Sequence, residues 1–141
     1  SRNILNSRSV SATDLNNDGK LELVVRTYNQ VIVFKNISTT ENKWIKIKLN
    51  GSHQNTHAIG ATVEVRTNNS NQRKIVQANT GYLTQEPYTK HFGLSNNTIE
   101  SILVTWPDGR ITTIESPIKA NQLIQISYPN KVKLVSNKHE F

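Results

Sequence analysis

Apolar residues recur at every second position along most of the chain and almost nowhere at the i, i+3, i+4 spacing of a helix. Ile45, Ile47 and Leu49 alternate with Lys46 and Lys48, which predicts a strand with one side toward a core and the other toward water. The same period runs through Ile59, Ala61, Val63 and Val65, through Ile102, Val104 and Trp106, and through Leu123 and Ile126 with their neighbours. Turn clusters at Asn50-Gly51, Asn68-Asn69-Ser70-Asn71, Ser95-Asn96-Asn97 and Pro107-Asp108-Gly109 separate these runs. Strands of this length at about 8 to 12 residue spacing predict an all-β fold, an antiparallel β-sandwich or barrel.

Trp106-Pro107-Asp108-Gly109-Arg110 is the clearest local signal. Pro presets φ, Asp caps its own turn and Gly is free to take a positive φ, so a hairpin is expected with strands near 99–106 and 110–115. One helical turn is expected around Ser116 to Asn121. The first forty residues read differently: a short extended run at Val10 to Thr13, a polar loop from Asp14 to Glu22, and strands at Leu23 to Arg26 and Val31 to Phe34 joined by Tyr28-Asn29-Gln30. Three strands with one exposed face are marginal alone, so they are expected to pack either on the rest of this chain or on sequence to its N-terminal side.

A length of 141 residues sets one domain with an appendage as the expectation and is enough to bury a core without metal or disulfide help. No run approaches the roughly 18 apolar residues of a membrane span, and the absence of cysteine removes disulfides, thiolate nucleophiles and Cys-bearing metal sites. The chain opens on Ser1-Arg2-Asn3 with no Met and no targeting pattern, which points to a piece of something longer.

The loop Asp14-Leu15-Asn16-Asn17-Asp18-Gly19-Lys20-Leu21-Glu22 carries the chemistry. Oxygen side chains stand at loop positions one, three, five and nine, with Gly at six. A hard cation such as Ca²⁺ takes about six to eight oxygens, and alternate residues of a curled loop converge to supply them. Asp14, Asn16, Asp18 and Glu22 are therefore candidate Ca²⁺ ligands, with the Lys20 carbonyl as a fifth. Val25 stands where an EF-hand needs its twelfth-position Glu, so the loop is not an EF-hand. The competing reading is an Asx-rich turn that joins two strands without an ion.

Val10 to Val25, with this loop at its centre, resembles one FG-GAP/VCBS repeat, the calcium-loop blade of β-propellers, with Glu22 at the ninth position where Asp is more usual. The chain beyond it resembles the ASPIC/UnbV domain, which comes directly after such repeats. The matching stretches are Asn42-Lys43-Trp44-Ile45, Ile59-Gly60-Ala61-Thr62-Val63, Gly81-Tyr82-Leu83-Thr84-Gln85, His91-Phe92-Gly93-Leu94, Val104-Thr105-Trp106-Pro107-Asp108-Gly109 and Ala120-Asn121-Gln122-Leu123. Ser95 stands where that family often has Gly, and Ser52 to His57 is less basic than usual. The two resemblances imply a calcium-loop strand unit over 1–40, the last piece of a propeller, a β-sandwich of about seven or eight strands over 41–129, and a tail over 130–141. They imply a non-enzymatic recognition or adhesion module of a secreted or cell-surface protein, attached to upstream propeller repeats of the same parent chain.

Other residues are weighed against plainer roles. His53 and His57 stand four apart but in loop sequence, where the spacing loses its metal-binding meaning, and His91 beside Phe92 reads as support for a buried corner. Tyr82, Gln85 and Tyr88 bring rings and an amide together in an expected loop, the first place to look for a protein or glycan ligand. The formal charge of +7 opens a polyanion- or carbohydrate-binding alternative, with Lys43, Lys46 and Lys48 on a strand's wet face and Arg66, Arg73, Lys74 and Lys90 elsewhere. The charges are scattered and no nucleic-acid motif frames them, so no nucleic-acid partner is expected. Glycosylation triplets at Asn36, Asn50, Asn68 and Asn96 are as many as chance gives in so Asn-, Ser- and Thr-rich a chain. No nucleophile elbow, zinc-protease helix or phosphate-cradling loop is present, which leaves a hydrolase as the least expected reading.

Overall fold

The computed structural model describes residues 7–78 and 87–135. Among the described residues there are eleven strands and no helix. They divide into two compact units, one running to Thr40 and the other formed by Glu41–Gln77 and the chain from Tyr88 onward.

The first unit is a three-stranded antiparallel sheet in the order β1 (Ser7–Thr13), β2 (Glu22–Thr27), β3 (Val31–Phe34). Val10, Val25 and Ile32 lie opposite one another on one face, and Val24 and Val33 on the other. Val25 and Ile32 are buried, whereas Val10, Leu23, Val31 and Val33 are each about half exposed or more. Apolar side chains on both faces are the pattern of a sheet made to be covered on both sides.

The second unit is built from two four-stranded sheets. One has the order β11 (Lys131–Val135), β10 (Gln122–Ser127), β4 (Lys43–Asn50), β7 (Lys90–Ser95), and the other β6 (Asn71–Ile75), β5 (Thr62–Thr67), β8 (Ile99–Thr105), β9 (Ile111–Ile118). Ile45 and Ile47 of β4, Phe92 and Leu94 of β7, and Ile124 and Ile126 of β10 meet Val63, Val65, Ile102 and Val104 of the other sheet in one core, all of them essentially inaccessible to water. This is a β-sandwich of eight strands among the described residues, with the alternation seen in the sequence turned into inner and outer faces. Ala61, Val63 and Val65 point inward as their period predicts, while Ile59 falls before β5 and is exposed.

Four sequence expectations need correction. β4 and β10 pair in parallel, Ile45 opposite Gln122 and Leu49 opposite Ile126, so the sandwich is mixed rather than purely antiparallel. The pair is clamped at both ends: Asn121 Oδ1 accepts from Trp44 N at 3.0 Å, and Tyr128 N donates to Asn50 O at 2.8 Å. The helical turn expected over Ser116 to Asn121 does not form. β9 runs on through Ile118, with Ile118 opposite Ile99, and Asn121 takes φ +58 to reach Trp44. Residues 131–135, read as part of a tail, pair with β10 as an edge strand. Lys46 is not exposed to water as expected: it is 8% exposed, with its ammonium 5.4 Å from the Trp44 ring centroid.

Candidate functional site

The Asp14–Glu22 loop is wound by its own side chains. Asp14 Oδ2 accepts from Gly19 N at 2.8 Å and its Oδ1 from Asp18 N at 3.2 Å. Asn16 Oδ1 also accepts from Asp18 N at 3.2 Å, Asp18 Oδ1 accepts from Lys20 N at 2.8 Å, and Asn16 Nδ2 donates to Asp18 Oδ2 at 2.9 Å. Asn17 and Gly19 take φ +59 and +87, the left-handed conformations that curl the chain. Lys20 Nζ donates to Ser38 O at 2.6 Å and Asn36 Nδ2 to Leu21 O at 3.3 Å, tying the loop to the segment after β3. The Lys20 amide and the Asn16 side chain together hold the Asp18 carboxyl below its usual range.

Glu22 differs from the rest of the loop. It is 3% exposed, its Oε2 accepts from Leu15 N at 2.9 Å, and its Oε1 is buried with no hydrogen-bond partner. A buried carboxylate oxygen left bare is costly. That orphan and an all-oxygen donor set suit a hard cation, for which Asp14, Asn16, Asp18, Glu22 and the Lys20 carbonyl are the available ligands. Among the described residues no three His, Asp or Glu side chains are already gathered closely enough to form a metal cluster.

The other candidates separate. Tyr82 and Gln85 lie outside the described residues. Tyr88 packs against the core and stacks on His57, centroids 4.3 Å apart and planes 10° from parallel, so its ring is used in packing. His53 and His57 lie in turns, not on a helix. His91 stacks on Trp44 with centroids 6.0 Å apart. Several cations weighed for a polyanion surface are engaged: Lys74 Nζ donates to His91 O at 2.7 Å and Arg66 pairs with Glu64 at 2.6 Å.

Sequence reasoning missed a cleft of about 300 Å³ in the second unit, between the loop after β4 and the turn after β8. Gly51 N donates to Thr56 O, Ala58 N to Asn55 O, and both polar atoms of the Asn55 side chain bond the Ile59 backbone, so the 51–59 loop is fixed. Across from it, Tyr128 donates its hydroxyl to Asp108 Oδ2 at 2.7 Å, and Arg110 N donates to Asp108 Oδ1 at 3.1 Å. Trp106, a buried lining residue, is edge-on to Tyr128 at 5.4 Å and anchored through Nε1 to Thr112 Oγ1 at 2.7 Å. The Pro-Asp-Gly turn was visible in the sequence, but its partners at 51–58 and 128 carry no local signal.

A family model described as ASPIC and UnbV matches residues 51–133, which holds the whole sandwich except its first strand and the end of its last. The chain belongs to the ASPIC and UnbV family. A second model, the FG-GAP repeat, matches residues 6–34, the three-stranded sheet with its loop. This ASPIC/UnbV chain is also similar to curated proteins named cartilage acidic protein 1. It is 30% identical over 127 residues to that of Xenopus tropicalis, covering 86% of this chain and 20% of the relative. Against that of Mus musculus it is 28% identical over 131 residues, covering 89% of this chain and 20% of the relative. The chain thus spans about a fifth of the length of these relatives.

Proposed function

We propose that this chain is a non-enzymatic recognition module of a secreted or cell-surface protein, stabilised by one Ca²⁺ held by Asp14, Asn16, Asp18, Glu22 and the Lys20 carbonyl. The observation that carries the reading is the buried, unpartnered Glu22 Oε1 beside a loop of oxygen donors. The ion has a mechanical role: it supplies the missing partner and ties β1 to β2. Only the folded loop presents all the oxygens, so binding adds RT ln(1 + [L]/Kd) to stability, on the order of 1.4 kcal/mol at millimolar Ca²⁺ and a site of about 10⁻⁴ M affinity.

Two further observations support a place within a larger propeller protein. The FG-GAP sheet exposes apolar side chains on both faces, and the relatives are about five times longer than the matched region. Upstream repeats of the same parent chain are the natural cover for those faces.

Isothermal titration of Ca²⁺ into chelator-treated protein, paired with thermal melting with and without the ion, tests the proposal. Heat of binding and a raised Tm are expected. Neither heat nor a shift at millimolar Ca²⁺ would overturn it.

A further inference from the structure

We propose that the cleft between the 51–58 loop and the Pro107-Asp108-Gly109 turn binds one neutral sugar residue through its hydroxyl groups. The inference gives the recognition role above a ligand class and rests on that role, but not on the calcium loop.

Size is the first constraint. At about 300 Å³ the cleft lies at the small end of ligand sites and has room for a single ring. Its chemistry is the second. Pro107 supplies exposed apolar surface beside the buried Trp106 and Ala58, while the side chains of Asp108, Tyr128 and Gln54 bring acceptors and donors. A pyranose has the same division, with C–H groups on its faces and hydroxyls at its edge.

Charge disfavours an anionic ligand. An anion would meet the Asp108 carboxylate with no cation among the lining residues to receive it, and the nearby Arg110 is already engaged, 3.4 Å from Asp108 Oδ2 and over the Tyr128 ring at 5.5 Å. A neutral polyhydroxyl ligand does not meet this obstacle.

The polar groups are also held in place with capacity to spare. Asp108 already accepts from Tyr128 and Arg110, which fixes its plane, yet an ionised carboxylate has about four lone-pair directions and keeps some for a ligand. Gln54 is exposed and its amide has no hydrogen bond among the described residues. Ala58, buried at the back of the cleft, sits at φ +54, a strained conformation that persists only where its surroundings hold it, as at ligand sites.

The test is a ¹⁵N–¹H NMR titration of the whole chain with methyl glycosides of glucose, galactose, mannose, fucose and N-acetylglucosamine, and with a glucuronide as the charged control, in chelator and again in Ca²⁺. Saturating shifts at the Gln54, Asp108 and Arg110 amides are expected with a neutral glycoside at millimolar concentration, unchanged by chelation. Gln54→Ala and Asp108→Asn, each first shown to retain the wild-type amide dispersion, should weaken that binding by about tenfold or more. The proposal is overturned if no neutral glycoside moves these amides, if the shifts map to another surface, if the glucuronide binds more tightly, or if both variants bind like wild type. Because chelation does not enter, sugar binding and Ca²⁺ binding succeed or fail separately.

Discussion

The backbone amide of Leu15 is hydrogen-bonded to one carboxylate oxygen of Glu22, and the other oxygen of the same group is buried without a partner. One oxygen of this carboxylate is therefore engaged, and the other is the one the proposed ion would meet. Replacing it as Glu22→Gln keeps an acceptor for Leu15 and removes the charge. The expected result is an ion-free protein as stable as wild type or more stable by about 1 kcal/mol, together with loss of the Ca²⁺-dependent rise in Tm. A variant that still responds to Ca²⁺ like wild type would remove Glu22 from the site.

Two glycines in the sandwich predict opposite outcomes. A Cβ on Gly51 would overlap the Asn55 carbonyl oxygen and stand 2.8 Å from Ala58 N, in backbone that has no slack. Gly51→Ala should cost about 1–3 kcal/mol in chemical denaturation. At Gly93, in β7, a Cβ meets nothing within 4 Å, so Gly93→Ala should be neutral or stabilise by up to about 1 kcal/mol. Equal effects at the two positions would contradict the packing described for the 51–59 loop.

Thr112 joins three parts of the second unit. Its hydroxyl accepts from Trp106 Nε1 and donates toward Pro129 O at 2.6 Å, with Asn130 Oδ1 at 2.8 Å. Thr112→Val strands the buried indole N–H and should cost about 1–3 kcal/mol, whereas Thr112→Ser should stay close to wild type. Denaturation midpoints of the two variants decide the matter, and a Val variant as stable as the Ser one would show that the hydroxyl is dispensable.

Tyr128 and Asp108 give the sandwich a pH signature. The Tyr128 hydrogen bond, and after it the Arg110 amide, hold the Asp108 carboxyl below its ordinary 3.8. Its contribution is present above that value and is lost as pH falls through the folded-state value. The Tyr128 phenol is pushed above its ordinary 10.0, chiefly by the bond to Asp108, so its contribution is present below pH 10 and is lost as pH rises through the folded-state value. Both groups face water, so the two limbs should be shallow. Tyr128→Phe should flatten both in a series of melting curves, while leaving the acid loss due to Asp18 in place. An unchanged difference from wild type at the two extremes of pH would refute the linkage.

The hairpin at Pro107-Asp108-Gly109 and the alternating runs at Ile45–Leu49 and Val63–Val65 were legible because each is decided by neighbours in sequence. The positive φ of Gly109 was legible for the same reason. Features set by distant chain were not. Nothing near Ile45 announces a parallel partner at Gln122, since parallel pairing has no tight turn to mark it. The period of β4 cannot say that Lys46 lies along Trp44, and the stretch expected as a helical turn at 116–121 holds Pro117, which fits a strand on the edge of a sheet. In the Asp14–Glu22 loop the sequence supplies the oxygens, but not which of them the backbone amides already occupy.

The union of β4 with β10 constrains how the molecule comes into being. Trp44 and Asn121, which clamp one end of that pair, are 77 residues apart, and so are Asn50 and Ser127 at the other end. A ribosome must deliver nearly the whole sandwich before its central strand gains its second neighbour, and closing so wide a loop is slow. Until then the growing polypeptide carries an open β edge, and any shortened version ending ahead of β10 would carry it permanently.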